Sequence, residues 1–293
     1  MPNRSFRRGL VALATALLAA CDGPAGSGKS SGKDTVVVFV AASLTNAIRP
    51  QLDSFSVATG VTVLTESGGS MEHVRKLTEL HRIPDLLLLA DDEVFPRFLV
   101  PNYTTWWSDF ARNRMVVAYT DRSKGAAEIS DSSWFRVLTR PGVEVGRADP
   151  NLAPVGYRTL GLFLMAELHY LQPGLARRLA ESAPAKNVRG NAAELAALLA
   201  AGELDYIYEY ESVARAQNFR YVVMPAGITG RPITYALSIP ARAPHPGPAE
   251  RLLGHLTSPA TKDHLRRSFV DMLDAPVVHG SGAPRVLTTS PRP

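Results

Sequence analysis

The sequence has few of the residues and patterns that mark several common classes of protein. It contains a single cysteine, so it can form neither an intrachain disulfide nor a zinc site built from cysteines. It has no H-E-x-x-H and no G-x-S-x-G pattern, so neither a histidine metal site nor the nucleophile elbow of a hydrolase has sequence support. The apolar run Gly9–Ala20 would rise about 18 Å as a helix, which is too short to cross a bilayer core of roughly 30 Å.

The sequence also lacks a strong excess of one charge once its N-terminus is set aside. The formal net charge is +5, but the first 20 residues contain Arg4, Arg7 and Arg8 and no acid, so the remainder carries +2. A charge this small gives no support to nucleic-acid binding, and we expect no nucleic-acid partner. With 45% hydrophobic and 20% charged residues, the composition is that of a globular protein of one or two domains.

The first part of the chain has the pattern of a secretory signal. A basic segment precedes the apolar run Gly9–Ala20, and Cys21 follows directly. The ending Leu-Ala-Ala-Cys resembles the bacterial lipobox, which implies cleavage before Cys21 and lipid on that cysteine. We therefore expect a signal peptide over 1–20, and a lipidated Cys21 with a flexible Gly/Ser/Lys linker over 21–34. The alternative interpretation is a buried helix with a cysteine in the core.

The linker contains a match to a phosphate-binding pattern. Gly23–Ser30 fits G-x-x-x-x-G-K-[ST]. A functional loop of this kind needs a buried strand before it and a helix after it, because its backbone amides must point at the phosphates. Here a signal sequence precedes the match, and Ser31–Asp34 follows it without a helical pattern. We interpret the match as a chance feature of a Gly/Ser-rich segment.

After the linker the sequence alternates between strand and helix patterns. Thr35–Val40 is a continuous apolar run, typical of a parallel strand buried on both faces. Helical spacing of apolar residues then follows at Leu44, Ile48, Leu52 and Phe55. Continued alternation predicts an α/β fold with mostly parallel sheets. The Pro/Ser/Gly-rich end of the chain, 279–293, is predicted to be disordered.

Two strand-to-helix junctions place a serine where a helix begins. Ser43 follows the first predicted strand, and Ser70 follows the second. Serine is a good N-cap, which is the purely structural interpretation. A helix N-terminus also carries unpaired amides and about half a positive charge, and such junctions meet at the carboxyl ends of parallel strands. The two serines could therefore converge on one oxyanion.

Several short segments together resemble the periplasmic molybdate/tungstate-binding proteins, which serve ABC transporters. They occur in the family's order between about Thr35 and Val278. The matching segments are V-A-A-S-L-T-N-A over 40–47, G-G-S over 68–70, D-P-N over 149–151, P-V-G-Y-R over 154–158 and G-E-L-D-Y-I-Y-E-Y over 202–210. The last two look closer to the tungstate-type branch than to the common bacterial branch.

The resemblance implies a type II periplasmic-binding-protein fold. In that fold two α/β lobes are joined by a hinge of two crossing strands, and the ligand is clamped between them. Lobe 1 would comprise 35–118 and 235–278, and lobe 2 would comprise 119–234.

The resemblance also implies which residues hold the oxyanion. The hydroxyls and amides of Ser43 and Ser70, with the backbone amide of Val155, match contacts that the family makes. In the bacterial branch, an amide matching Val188 and a tyrosine matching Tyr208 also contribute.

Two carboxylates distinguish the tungstate-type branch, where they approach the metal of the oxyanion and raise its coordination to six. One of them matches Glu209, which would be a direct ligand to the molybdenum or tungsten atom. The other falls on Ala153, which has no carboxylate. A regular six-coordinate metal is therefore not expected.

These features predict an extracytoplasmic lipoprotein that is anchored through Cys21, binds molybdate or tungstate and delivers it to an ABC transporter permease. We expect a monomer that needs no cofactor and catalyses no reaction. One alternative is the same fold with another oxyanion such as sulfate, against which Glu209 argues because sulfate offers no open metal coordination. Another is an enzyme, either an NTPase through Gly23–Ser30 or a hydrolase through Ser43 or Ser70, although the serines have no evident base partner.

Overall fold

The computed structural model describes residues 34–268 and 270–288. The predicted signal peptide, Cys21 and the linker up to 33 lie outside the described residues. The strands are β1 (Thr35–Ala41), β2 (Thr62–Gly68), β3 (Leu86–Leu89), β4 (Trp106–Asn113), β5 (Met115–Tyr119), β6 (Val145–Ala148), β7 (Val188–Arg189), β8 (Tyr206–Tyr210), β9 (Arg220–Val223), β10 (Ile233–Ser238) and β11 (Asp271–Gly280).

Helices cover the faces of these strands. They are α1 (Ala42–Thr59), α2 (Ser70–Thr78), α3 (Trp134–Leu138), α4 (Pro154–His169), α5 (Leu175–Ser182), α6 (Ala192–Ala201), α7 (Glu211–Ala216), α8 (Ala226–Thr229), α9 (Pro246–Leu256), α10 (Pro259–Arg267) and α11 (Arg285–Thr288). A π-helical turn covers Phe95–Leu99, and a 3₁₀ turn covers Ala185–Asn187. Within the described ranges, no helix has both the length and the apolar character needed to cross a bilayer.

The first sheet has the strand order β11-β4-β10-β3-β1-β2. Strand β1 pairs in parallel with β2 and β3, and its residues Val36, Val38 and Val40 are completely buried. The apolar residues at helical spacing, including Leu44 and Ile48, form the buried face of α1 as predicted. This sheet and the helices packed on it constitute what we call lobe 1.

The second sheet has the strand order β7-β6-β8-β5-β9. Strand β6 pairs in parallel with β7 and β8, whereas β5 is antiparallel to both β8 and β9. This sheet and its helices constitute lobe 2. The prediction of mostly parallel sheets is therefore wrong, because the strands that connect the lobes enter each sheet antiparallel to their neighbours.

The described chain passes from one sheet to the other at two places. The first passage is at Arg114, between β4 and β5, and the second leads from β9 to β10. The predicted boundary at 118 is thus displaced, since Met115–Tyr119 pairs along its length with strands of the second sheet. The sequence around this passage, Arg112 to Val116, contains no glycine or proline to mark it.

The last part of the chain is more ordered than predicted. Strand β11 continues to Gly280, and His279 stacks on Trp107 with ring centroids 4.8 Å apart. The Nε2 atom of His279 is 2.9 Å from the Oδ2 atom of Asp109. Beyond the strand, Leu287 in α11 is buried. Disorder over 279–293 is therefore wrong for 279–288, because this segment pairs with β4 and packs on lobe 1.

Candidate functional site

A small cavity lies where helices of both lobes begin. Within the described ranges, the N-termini of α1, α2, α4 and α6 border it together with the end of β8, and its volume is about 10 Å³. Helices α1 and α2 follow strands of the first sheet, whereas α4 and α6 follow strands of the second. The lining residues are Ala41, Ala42, Ser43, Gly68, Gly69, Ser70, Ala90, Ala153, Pro154, Val155, Asn191, Ala192 and Tyr210.

The N-termini of α1 and α4 present backbone donors to this cavity. The N-cap residues of α1 and α4 are Ala41 and Ala153, whose methyl groups cannot accept a hydrogen bond. The amides in the first turn of a helix have no intrahelical acceptor. Each helix N-terminus also carries about half a positive charge. The convergence of several such ends therefore creates a positive potential suited to an anion, with no cation needed.

The two predicted serines both line this cavity, and the oxygen of each accepts a hydrogen bond from the protein. Ser70 is completely buried, and its Oγ atom accepts a bond of 3.0 Å from the backbone N–H of Ala90. The Oγ atom of Ser43 accepts a bond of 3.1 Å from the hydroxyl of Tyr235. Because each oxygen already accepts a bond, its own O–H group remains available to donate to a ligand.

The backbone amide predicted at Val155 also lies at the cavity. Val155 is the second residue of α4, behind Pro154, which has no N–H group. Ala153 lines the cavity as well, with 4% of its surface exposed. The structure therefore brings together Ser43, Ser70 and Val155, and Ala153 presents only a methyl group beside them.

The structure does not bring Val188 or Tyr208 to the cavity. The N–H group of Val188 donates to the carbonyl of Ala185 and closes a 3₁₀ turn. Tyr208 is completely buried in lobe 2, where its ring packs edge-on against Phe163 at 5.1 Å and Trp134 at 6.2 Å. Val188 lies three residues before Asn191, and Tyr208 lies two residues before Tyr210. Asn191 and Tyr210 are the residues of these two segments that line the cavity.

Tyr210 is a site residue that sequence reasoning missed. It lies on the same face of β8 as Tyr208, because side chains two apart in a strand share a face. It is the last residue of the strand, and α7 begins directly after it. Within the described residues its hydroxyl has no hydrogen-bond partner. Burial raises the pKa of this phenol well above its usual range, so it stays protonated and can donate to an anion.

Glu209 occupies the opposite face of β8 and is not among the residues that line the cavity. It is completely buried, and its Oε1 atom accepts a bond of 2.8 Å from the backbone N–H of Tyr210. In the described part of the chain, the Oε2 atom has no partner. Burial raises the pKa of this carboxyl to about 8, so it is protonated at neutral pH. It therefore adds no negative charge near the cavity at that pH.

The lobes meet through backbone contacts beside the cavity. The carbonyl of Leu152, in lobe 2, accepts bonds from the N–H groups of Met71 at 3.0 Å and Glu72 at 3.3 Å, both in the first turn of α2. Gly69 lies against the same residue, and a methyl group placed on it would be 2.7 Å from the carbonyl carbon of Leu152. A side chain at position 69 is thus incompatible with this approach of the lobes.

A buried ion pair provides a second contact between the lobes. Asp91 of lobe 1 accepts a bond of 2.5 Å from the hydroxyl of Tyr157 and one of 3.1 Å from Arg158, both in α4 of lobe 2. Only 9% of the Arg158 side chain and 4% of the Asp91 side chain are exposed. Arg158 therefore bridges the lobes. By contrast, Arg189 donates to the carbonyls of Lys186 and Val188 within lobe 2.

A larger cavity of about 570 Å³ opens beside this ion pair. Its wall combines basic residues such as Arg75 and Arg231 with acidic residues such as Asp91 and Glu93. Arg231 is paired with Asp92 and Glu93, so its charge is already balanced. Such a mixture of paired charges is typical of a cavity that is open to solvent. The small cavity, by contrast, has a lining without charged side chains, and it is bordered by helix N-termini of both lobes.

Comparison with known proteins agrees with this geometry. A family described as bacterial extracellular solute-binding proteins matches residues 36–269. The chain belongs to this family. An uncharacterized solute-binding protein of Petrotoga mobilis is 38% identical over 240 residues, covering 72% of this chain and 75% of the relative. The molybdate/tungstate-binding protein WtpA of Pyrococcus abyssi is 31% identical over 268 residues, covering 75% of this chain and 78% of the relative. The predicted family resemblance is thus confirmed.

Solved structures share the fold of this solute-binding protein. The sulfate-binding protein SubI of Mycobacterium tuberculosis superposes with a TM-score of 0.64 at 16% identity, covering 87% of this chain and 89% of that chain. The periplasmic molybdate-binding protein of Azotobacter vinelandii gives 0.63 at 15% identity, covering 80% and 98%. These neighbours are type II periplasmic binding proteins, which confirms the predicted fold class.

Proposed function

We propose that this solute-binding protein captures molybdate or tungstate at the cavity between its lobes and delivers it to an ABC transporter permease. The observation that carries the proposal is a cavity bordered by several helix N-termini and by hydroxyls whose hydrogens are free to donate. Ser43, Ser70 and Tyr210 supply the hydroxyls, and the first turn of α4 supplies the amide of Val155.

A site of this kind suits a fully ionised tetrahedral dianion. Burial of a doubly charged anion carries a large desolvation cost, which many hydrogen bonds must offset. Bonds to a charged acceptor are roughly twice as strong as bonds between neutral groups. Phosphate carries a proton near neutral pH and would need an acceptor, so a lining of donors disfavours it. The cavity of about 10 Å³ is smaller than any of these anions, so the lobes must part to admit one. Molybdate and tungstate are larger than sulfate, and the size of the opened site can therefore discriminate between them.

Equilibrium binding tests this proposal most simply. The chain from Lys33 onward should be titrated by calorimetry with tungstate, molybdate, sulfate and phosphate under identical conditions. We expect saturable one-to-one binding of tungstate or molybdate, and no binding of phosphate at the same concentrations. Absence of binding to both metal oxyanions would contradict the proposal.

Sulfate is a second candidate ligand that one observation favours. The cavity carries no carboxylate at Ala153, and Glu209 does not line it, so nothing there is placed to bond to a metal centre. A site of hydroxyl and amide donors, with no side chain placed to bond to the metal, would also accept sulfate. The relative affinities in the titration above decide between sulfate and the metal oxyanions.

The geometry gives little support to an enzyme. The hydroxyl oxygens of Ser43 and Ser70 accept bonds from Tyr235 and from the amide of Ala90, neither of which is a general base at neutral pH. The nearby His73 is completely buried, and its Nε2 atom lies 3.0 Å from the carbonyl of Val40. Activation of a serine needs a base within hydrogen-bond reach. We therefore propose binding without chemistry. The Gly23–Ser30 match lies outside the described residues.

Replacement of Ala153 tests how the metal is coordinated. Ala153→Asp would place a carboxylate at the cavity, where it could bond to tungsten but would repel sulfate. The Coulomb cost of two unit charges at 4 Å is on the order of 4 kcal/mol at an effective dielectric of 20. We expect the ratio of tungstate to sulfate affinity to rise by about tenfold or more, measured by calorimetry. Ala153→Asn is the uncharged control, and an equal change in both variants would contradict the account.

Replacement of Cys21 tests the proposed anchor. Cys21→Ser should release the protein from membranes or leave it with its signal peptide attached, because the serine cannot carry a thioether-linked lipid. Several acyl chains bind membranes firmly, whereas one chain binds only marginally. Fractionation at high salt combined with intact mass measurement checks this. A processed Cys21→Ser protein that still sediments with membranes would show that lipid on Cys21 is not the anchor.

A further inference from the structure

A chain of hydrogen bonds runs from the passage between the lobes to the cavity. Asn113 is the last residue of β4, next to the crossing at Arg114. Its Nδ2 atom donates to the hydroxyl of Tyr235 at 2.9 Å. Tyr235, in β10, is completely buried, and its hydroxyl donates to the Oγ atom of Ser43 at 3.1 Å. Neither Asn113 nor Tyr235 lines the cavity itself.

The direction of this chain is fixed by the bonds around Asn113. Its Oδ1 atom accepts from the backbone N–H groups of Arg114 at 2.9 Å and Ser212 at 3.3 Å. The amide oxygen must therefore face those donors, and the NH₂ group faces Tyr235 and the Oγ atom of Ser212, 2.7 Å away. The oxygen of Tyr235 then accepts from Asn113. Its single hydrogen remains for Ser43, and the hydrogen of Ser43 remains for the cavity.

We propose that Asn113 and Tyr235 are positioning residues that hold the Ser43 hydroxyl as a donor, and that they thereby make the site reject oxyanions that carry a proton. This inference rests on the proposed function, since it concerns the same site. An unconstrained serine can rotate and offer a lone pair to the proton of a phosphate. A serine whose oxygen accepts from Tyr235 has one of its two lone pairs occupied and is held with its hydrogen free for the ligand, and an anion without a proton accepts that hydrogen best. Hydrogen-bond chains of this kind also polarise one another and strengthen the final bond.

Few groups around Tyr235 could alter the selectivity against protonated oxyanions through their charge. Its ring packs against Tyr210 at 6.3 Å and Phe110 at 6.2 Å. Glu209 is a nearby carboxyl, and it is protonated at neutral pH. Experiments at pH 6 to 7 therefore keep these side chains neutral, so that a change in selectivity reports on the orientation of Ser43.

Tyr235→Phe removes the donor to Ser43 and retains the ring. We expect the affinity for tungstate to fall by about tenfold, because Ser43 is no longer oriented or polarised. We also expect the ratio of tungstate to phosphate affinity to fall by about tenfold or more, because the Ser43 oxygen becomes able to accept the phosphate proton. Tyr206→Phe is the matched control, since its hydroxyl donates to the carbonyl of Lys124 away from the cavity. That control should leave both affinities unchanged.

Asn113→Asp should reverse the direction of the hydrogen bonds from residue 113 through Tyr235 to Ser43. A carboxylate at position 113 accepts the hydrogen of Tyr235, so the Tyr235 oxygen accepts from Ser43, and Ser43 turns its lone pairs toward the ligand. We expect tungstate affinity to fall by about 100-fold, with a further loss of selectivity against phosphate. The double variant Asn113→Asp/Tyr235→Phe separates orientation from simple charge repulsion. If orientation is the cause, the tungstate affinity and the selectivity of the double variant should equal those of Tyr235→Phe.

The measurements are competition calorimetry with tungstate and phosphate at pH 6.5, and thermal melting to check that each variant folds. Multiplicative losses in the double variant, or a loss of tungstate affinity with unchanged selectivity, would overturn the inference while leaving the proposed function intact. If the unaltered protein binds no oxyanion, the proposed function and this inference both fail. A reduced selectivity that appears only when Tyr235 or Asn113 is changed, in variants that fold, supports the inference.

Discussion

Gly69→Ala should weaken tungstate binding by about 100-fold, while the free protein keeps a melting temperature within a few degrees of the original. The added methyl group would meet the backbone of Leu152 in the opposite lobe. Such overpacking costs roughly 1–3 kcal/mol, and it also separates the Leu152 carbonyl from the N–H groups of Met71 and Glu72. Two lost hydrogen bonds add about 1 kcal/mol each, so the total is roughly 3–5 kcal/mol. Its lower end corresponds to about 100-fold in affinity.

The variant should fold because the collision exists only when the lobes approach each other. Gly69 has φ −70° and ψ 143°, which any residue adopts, so alanine introduces no backbone strain. Binding by both lobes favours the closed arrangement. Calorimetry therefore measures the affinity, and solution scattering should show a smaller radius of gyration with tungstate for the unaltered protein and a smaller decrease, or none, for the variant.

Gly161→Ala is the matched control for Gly69→Ala. Gly161 lies in α4, and a methyl group placed on it meets nothing within 4 Å. Alanine in a helix is more favourable than glycine by up to about 1 kcal/mol. The control should bind tungstate normally and melt at the same or a higher temperature. If Gly69→Ala also binds normally, lobe contact at Leu152 is not required for capture.

Glu209→Gln should remove a large pH dependence from the stability of the protein. The buried carboxyl of Glu209 has a pKa of about 8 in the folded chain, against an ordinary value of 4.5. Between those values the folded state binds one proton more than the unfolded state, so the free energy of unfolding falls as pH rises. At 1.36 kcal/mol per pKa unit, the total is about 5 kcal/mol. The stabilisation of the folded state by the proton on Glu209 is complete below pH 4.5, and it is lost once pH exceeds about 8.

Glutamine keeps the carbonyl oxygen that accepts from Tyr210 and does not ionise. Urea denaturation of both proteins at pH 5, 7 and 9 checks the prediction, because all other titrating groups are shared. The two free energies of unfolding should be similar at pH 5, and the variant should be more stable by several kcal/mol at pH 9. Parallel pH profiles would mean that Glu209 is ionised in the folded protein. Since Glu209 does not line the cavity, the ratio of tungstate to sulfate affinity should stay unchanged in the variant.

The site residues that the sequence predicted correctly share a local cause. Ser43, Ser70 and Val155 lie at the first turns of helices, where a strand ending and a helix beginning fix the position of the backbone. Those junctions are visible in the residue pattern. The convergence of Ser43 and Ser70 also follows from parallel pairing of β1 with its neighbours, which the apolar runs predicted.

The misplaced residues share a different cause. Tyr208 and Tyr210 occupy the same face of one strand, and only the start of α7 at Glu211 decides which of them reaches the edge of the sheet. For Val188, the deciding feature is a 3₁₀ turn that uses its amide within lobe 2. Likewise, the crossing at Arg114 and the stacking of His279 on Trp107 depend on long-range pairing. Residue patterns in a single sequence carry no direct signal of such pairing.

The most direct test of the central claim is a crystal structure with tungstate, in which anomalous scattering locates the metal without reference to the protein. The account predicts one strong tungsten peak where α1, α2, α4 and α6 begin. Its oxygens should lie within hydrogen-bond distance of the hydroxyls of Ser43, Ser70 and Tyr210 and of the amide of Val155. A peak in the larger cavity beside Tyr157 and Arg158, with none at the helix N-termini, would contradict it.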